Sequence, residues 1–352
     1  MTEDALPSTL GFRMPAEWDR HEATWLAWPH EESDWPGKFE PIRWVYGEIV
    51  RHLSRHESVR ILVQNTDAEQ DARKVLEACH VQMETVDFFT IPTDRSWTRD
   101  FCPIFVRNSL GCRGVLNWLF NGWAKYENSH ADSAVPRLLA DRLELQLWIP
   151  RFEGYRIVLE GGSIDVNGAG TILTTEECLL SDVQARNPGM RRAAYQQVFR
   201  DYLGALHTLW LRSGIAGDDT HGHVDDLARF TDACTVAVAS EDDPHDDNFE
   251  PLRENLALLR EMHDQDGRPL RIETLPMPEP VFFEGQRLPA SYANFYIANS
   301  VVLVPTFNDP SDRIALNKLS ELFPTRKVVG IASTDLVFGL GTLHCMTQQQ
   351  PA

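Results

Sequence analysis

No two cysteines of this 352-residue chain stand at C-x-x-C spacing; Cys79, Cys102, Cys112, Cys178, Cys234 and Cys345 are scattered along it. The pattern excludes a zinc knuckle and gives no sign of a small disulfide framework. No stretch approaches the roughly 20 apolar residues that a membrane-spanning helix needs. The opening MTEDALPSTLGFRM is acidic and lacks the apolar core of a signal peptide, so a cytoplasmic location is expected. Basic residues are scarce: 33 Lys and Arg stand against 52 Asp and Glu, a formal charge of −19. Such a field repels nucleic acid and anionic membrane, and it favours the arrival of a small cation. No Ser-rich, Gly-rich or charged linker divides the chain. Residues 1–352 therefore read as one domain, with residues 1–13 as an N-terminal extension.

What is present is a repeating alternation. FEPIRWVYGEIVRHLSRH carries Ile42, Val45, Tyr46, Ile49, Val50 and Leu53 at helical spacing, and the β-type run VRILVQ follows. A helix near 133–145 precedes RIVLEGG and GTILTTE, and one near 189–203 precedes LHTLWLR and TVAVAS. FEPLRENLALLREM precedes YIANSVVLVPTF, and DPSDRIALNKLSELF precedes KVVGIAS and GTLHCMT. That makes about five helix-plus-strand units, and polar motifs sit at similar places in them: SWTRDF, VLEGGSID, GHVDDLAR, SYANFY and LHCMTQ. Radially arranged units would bring these motifs to one centre; an ordinary α/β sheet with insertions is the alternative.

The segment GDDTHGHVDDLARF packs two histidines among four aspartates. THGHVDD is similar to the H-x-H-x-D-H signature of metallo-β-lactamase-like hydrolases, with His221, His223 and Asp225 as ligands. Asp226 stands where the last histidine should be, and only His245, His263 and His344 remain downstream, so no metal is expected.

Cys345 offers a different chemistry. Gly339 and Gly341 flank Leu340 just before it and permit close backbone approach, and polar Thr347 to Gln350 follow it. A lone cysteine is otherwise core filler. As a nucleophile it would need a proton-transfer partner and groups that orient the substrate. His223 and Asp225 would share one face if their segment is extended, or form a salt-bridged surface turn if it is not. Carboxylates beside a cysteine raise its pKa and weaken it. That conflict disappears when the substrate is a guanidinium, which matches carboxylates bidentately and brings positive charge to the sulfur.

Taken together, MPAEWDRHEATWLAWPHEESDWPG, WTRDFCPIFV, FNGWAKY, LEGGSIDVNGAGTILTTEECLL, DDTHGHVDDLARF and LGTLHCMTQQQP resemble the motifs of the agmatine deiminase and bacterial-type peptidylarginine deiminase family. The likeness runs from about residue 14 to the C-terminus. It implies the guanidine-modifying (pentein) fold, a pseudo-symmetric five-bladed α/β propeller with its site in the central channel. It assigns Cys345 as nucleophile, His223 as general acid and base, Asp100 and Asp225 as the grip on the guanidinium, and Glu160 as a further acid of the site. Asp219 matches a substrate-contacting acid, Trp97 a channel wall, and Gly341 the loop before the nucleophile.

The implied reaction converts a guanidino to a ureido group with release of ammonia, agmatine giving N-carbamoylputrescine. It needs no metal or organic cofactor, and the resemblance adds a homodimer as the expected assembly. Three positions depart from the family pattern: Cys102 replaces a glycine, Leu340 interrupts a triple glycine, and His221 stands where Asn or Asp is common. Free arginine and peptidylarginine remain alternative substrates. A non-catalytic binder on the same fold would be expected to lack Cys345, His223 or the acids, and all are present.

Overall fold

The computed structural model describes residues 5–352. Five of its sheets share one plan. In each, a short strand runs antiparallel to a central strand, and a helical crossover leads to a third strand parallel to the centre, as parallel pairing requires. The second to fifth units are Ile104–Arg107, Arg113–Leu116 and Gln146–Trp148; Ile164–Val166, Thr171–Thr175 and His207–Leu211; Ala228–Phe230, Thr235–Ser240 and Arg271–Pro276; and Tyr296–Ile297, Val301–Thr306 and Lys327–Ala332. In the first unit the short strand comes from the far end of the chain. Gln348–Pro351 lies antiparallel on His21–Ala27, which is followed by the parallel strands Ser58–Val63 and Val86–Thr90.

Central strands such as Thr235–Ser240 and Val301–Thr306 are buried along almost their whole length. This explains why they read as continuous runs of Val, Ala and Leu and not as alternating patterns. The helix Phe39–Leu53 buries Ile42, Tyr46, Ile49, Val50 and Leu53. Pro310–Leu322 opens with a capping box between Asp309 and Asp312 and a proline in its first turn, the sequence signature of a helix start. The largest apolar cluster joins Trp25, Tyr46 and Ile61 of the first unit to Val115 and Leu139 of the second and Leu303 of the fifth.

Several expectations change. Of RIVLEGG only Arg156, the end of the strand Tyr155–Arg156, is strand; a bridge at Val158 and a single helical turn at Gly161–Ser163 follow. The helix read near 189–203 is Arg192–Val198 running into the wider turn Phe199–Leu203, and ends on left-handed Gly204. Residues 343–346 form a turn, so the β-type run after Cys345 starts only at Gln348. Thr66–Ala78 and Val86–Thr90 went unread because their polar outer faces dilute the apolar signal.

The plan places chemistry at one point of every unit. The helical turns Thr98–Phe101, Gly161–Ser163 and Val224–Asp226, the turn at Tyr292–Ala293 and the turn at 343–346 each precede the short strand of their unit. These turns touch one another. The Arg99 backbone N–H donates to the Cys345 carbonyl at 3.1 Å, and the Thr98 hydroxyl donates to the Met346 carbonyl at 2.7 Å. A Cβ on Gly161 would lie 2.3 Å from the Arg99 carbonyl oxygen, so only glycine fits there.

Candidate active site

Cys345 is 6% exposed and sits where the turns of all five units meet. The Asn294 amide donates to its sulfur at 3.1 Å and to Asp226 Oδ1 at 2.9 Å. The Asn294 carbonyl oxygen accepts from the Thr342 hydroxyl at 2.7 Å and the His344 N–H at 2.9 Å, so one side chain fixes the nucleophile turn from both ends. A Cβ on Gly341 would stand 3.2 Å from the Cys345 sulfur and 3.0 Å from the Trp97 ring, and one on Gly339 would enter the Trp35 and Trp97 rings. Leu340 between them takes a φ of +67°, a left-handed conformation that glycine adopts without cost.

Around the sulfur stand the predicted acids and histidine. Asp100 Oδ1 accepts from the Gly162 N–H at 3.1 Å, and Oδ2 from the Trp123 indole at 2.8 Å. His223 Nδ1 lies 3.8 Å from Asp100 and 3.9 Å from Asp225, and its Nε2 lies 3.9 Å from Glu160 Oε2. Asp225 Oδ2 is 3.7 Å from the Cys345 sulfur and accepts from His344 at 2.7 Å; the other ring nitrogen of His344 meets Glu17 at 2.8 Å. Arg186 donates to Glu160 Oε1 at 3.0 Å. Gly162 makes the convergence possible, since a Cβ there would lie 2.5 Å from His223 and within 3.0 Å of both Asp100 and Asp225. His223 and Asp225 converge through a buried helical turn, which is neither the extended segment nor the surface turn that the sequence left open.

Four polar atoms at this point are buried and lack a hydrogen-bond partner: Asp225 Oδ1, Glu160 Oε2, and Nδ1 and Nε2 of His223. Orphaned buried polar atoms are costly and rare. The two carboxylate oxygens among them, Asp225 Oδ1 and Glu160 Oε2, mark a place beside the cysteine that can take hydrogen bonds from a ligand.

The electrostatics separate the acids. Burial, with Asp225 and Glu160 nearby, pushes Asp100 up to about 6. Burial also raises Glu160, but the Arg186 guanidinium and His223 outweigh it and hold that carboxyl at about 2. Asp225 meets the same burial, and its bond to His344 and the charge of His223 bring it below the usual aspartate range. Burial works against a charge on His223, yet Asp100 and Glu160 drive its imidazole well above the usual value. Burial and the charges of Asp225, Asp226 and Asp100 push the Cys345 thiol well up. The histidine is therefore charged at rest and the cysteine is a thiol.

A cavity of about 400 Å³ opens over the sulfur. Asp100, Trp97, Trp123 and Cys345 face it, while Phe283, Phe338 and Leu340 line it further out. Glu160, His223 and Asp225 are not on its wall; they are buried beneath it. Asp219 lines the cavity rim, where it pairs with Lys125 and accepts from the Tyr126 hydroxyl at 2.7 Å. Trp97 is both wall and structure, since it packs on Trp35 with ring centroids 5.3 Å apart.

The metal set suggested by THGHVDD is not assembled. His221 turns away, with its ring 3.2 Å from the Ser181 hydroxyl and 3.8 Å from Glu177. Glu160, Cys178 and His223 form one group whose ligand atoms lie within 4.8 Å, and Asp225, Asp226 and Cys345 form another. Arg186 already compensates Glu160 in the first group, and in the second Asp225 Oδ2 is paired with His344 and Asp226 Oδ1 with the Asn294 amide. Cys102 has ordinary extended backbone, φ −66° and ψ 156°, so no glycine is needed there.

The residues missed from sequence are Asn294, Asp226, His344, Trp123, Arg186 and Glu17. Asn294 lay within a motif already noted, and Asp226 and His344 adjoin predicted residues. Glu17 lay in the MPAEWDRH segment without a role, and Arg186 carried no such signal; both act on the site through buried ion pairs, Arg186 with Glu160 and Glu17 with His344, Arg99 and Arg229.

The chain is similar to known proteins along its whole length. A relative from Selenomonas ruminantium described as "Putative agmatine deiminase" is 35% identical, the match covering 100% of this chain and 99% of that protein. The structure of the agmatine deiminase of Enterococcus faecalis superposes with a TM-score of 0.89 at 31% identity, over 99% of this chain and 98% of the other. An amidinotransferase from Microseira wollei, 12% identical with a TM-score of 0.53 over 96% of each chain, shares the mixed α/β fold alone. Residues 13–351 match the model of the Porphyromonas-type peptidyl-arginine deiminases, and the chain belongs to that family.

Proposed function

We propose that this protein is a cysteine-dependent hydrolase that deiminates a small guanidine, with agmatine as substrate and N-carbamoylputrescine and ammonia as products. The observation that carries the reading is the pair of unpartnered carboxylate oxygens, Asp225 Oδ1 and Glu160 Oε2, buried beside Cys345 with Asp100 close by. A guanidinium presents five N–H donors in one plane, and the acceptors of Asp100, Asp225 and Glu160 surround the place where such a plane would lie. The cavity of about 400 Å³ suits a small ligand. Agmatine deiminase relatives along the full chain support the same substrate. The five like-built units support a closed five-bladed propeller, with the C-terminal strand completing the first blade.

The steps follow from the resting charges. A guanidinium entering between Asp100 and Asp225 offsets the acids that hold Cys345 as a thiol, and the thiol proton leaves to solvent through the cavity. The thiolate adds to the guanidino carbon, and the C–N double bond opens onto nitrogen. His223, already an imidazolium, protonates the departing nitrogen; ammonia leaves and a thiouronium remains on sulfur. Neutral His223 then takes a proton from water as the water attacks the same carbon. The C–S bond breaks as the hydroxyl proton of this adduct passes to the sulfur, giving the ureido product and restoring the Cys345 thiol.

The test is ammonia release with agmatine, arginine and a blocked peptidylarginine in parallel, for wild type and Cys345→Ala, with a chelator present. Turnover of agmatine that disappears in the variant is expected. Turnover surviving in Cys345→Ala, or failing when chelator is added, would overturn the reading.

A further inference from the structure

We propose that Trp123 is a positioning residue for this reaction: its indole N–H, presented by a left-handed turn, aims and holds the Asp100 carboxylate for the guanidinium. The inference rests on the guanidine reading above and adds to it a residue outside the acid and histidine set.

Three successive residues, Gly122, Trp123 and Ala124, have φ of +63°, +58° and +54°. Glycine enters this region freely, but a tryptophan and an alanine do not. The turn is held from several sides. The Asn121 side chain accepts from the Ala124 N–H at 2.9 Å, and the Gln184 amide donates to the Trp123 carbonyl at 3.2 Å and to the Asp219 carbonyl at 3.1 Å. The indole is 5% exposed and packs edge-on against Phe120 and Tyr126, with centroids 5.0 and 5.9 Å away. The hand of a turn decides where its middle side chain points, and here the indole N–H meets Asp100 Oδ2 at 2.8 Å. Backbone strain maintained at this one place therefore has a geometric product.

That product bears on binding. Asp100 receives one fixed donor on each oxygen, the Gly162 N–H and the indole, and each oxygen keeps a lone pair for the ligand. An indole can donate but not accept, so it favours the carboxylate over the neutral acid. This opposes the burial and neighbouring acids that push Asp100 up to about 6.

Trp123→Phe keeps the ring and removes the donor. A hydrogen bond to a charged group of this kind corresponds to about 10- to 100-fold in kcat/KM, carried mainly by KM. The acidic limb of the kcat/KM profile is expected to move about one pH unit upward. The Asp100 carboxyl titration followed by ¹³C NMR in the substrate-free protein, assigned with Asp100→Asn, is expected to move the same way. Ala124→Gly eases the turn without touching the donor and should leave the limb in place. If Trp123→Phe does not fold, Gln184→Ala, which loosens the turn, should shift the limb upward by less. An acidic limb and an Asp100 titration at their wild-type positions in the folded variant would overturn the proposal. If the wild type turns over no guanidine, the functional reading fails, while the Asp100 titration still decides whether the indole holds that carboxylate.

Discussion

The floor of the site and its rim are built on opposite principles. On the floor, Glu160, His223, Asp225 and Arg186 are buried, and each charge faces an opposite one. At the rim, Asp219 meets an exposed Lys125, and Phe283 and Leu340 are only partly buried. The floor comes from turns locked between strands of different units, whereas the rim comes from connecting loops, including the hairpin around Glu284 and Gly285. Buried, compensated charge cannot relax without large cost, so the floor dictates which bond is made and broken. Loops at a rim can vary without disturbing that chemistry, so the rim selects what carries the guanidine.

The largest effect that would sharpen this division is at the nucleophile. Cys345→Ala is expected to lower kcat by about 10⁴-fold or more while the protein stays folded, checked by ammonia release and a thermal melt. Next comes Glu160→Gln, which leaves the Arg186 guanidinium buried without its counter-charge; about 3 kcal/mol of stability should be lost in urea denaturation, along with turnover. A stability loss as small as that of a surface substitution would mean that the floor is not locked.

A pH effect of middle size follows from Asp100, which must be ionised to grip a cation. With its carboxyl pushed up to about 6, kcat/KM should fall about tenfold for each pH unit below that point. In the substrate-free protein the sign is reversed for stability. The native pKa lies above the ordinary 3.8, so the native state binds more protons, and stability falls as pH rises through that interval. Asp100→Asn should accordingly stabilise the empty protein at about pH 8 and have little effect at about pH 4. The smallest effect is expected at the rim: Asp219→Asn should change KM a few-fold and leave kcat unchanged, with stability altered by no more than about 0.5 kcal/mol. A collapse of kcat in that variant would erase the distinction between rim and floor.

The floor was also the part most legible in the sequence. Asp100, Glu160, His223, Asp225 and Cys345 each lie in a short polar motif just before a short strand; recurrence grouped the motifs, and the family resemblance assigned the residues within them. Gly341 was legible as a glycine just before the cysteine and Trp97 through the resemblance; that the two meet beside the sulfur is a finding of the structure. Trp123 lay in FNGWAKY, but its role went unread because it depends on a left-handed backbone that no pattern of residue types announces. Arg186 and Glu17 were hidden because they work at one remove, across ion pairs that join parts of the chain far apart. His221 had no role assigned from sequence; it takes a φ of +64° and its ring lies against Ser181 and Glu177, away from His223.

The most direct measurement is acid quench of the enzyme during agmatine turnover, followed by mass spectrometry of the peptide that contains Cys345. The expected result is an adduct on Cys345 with the mass of agmatine less ammonia, absent in Cys345→Ala. Steady ammonia release with no adduct on that peptide, or an adduct on another residue, would contradict a mechanism that passes through this cysteine.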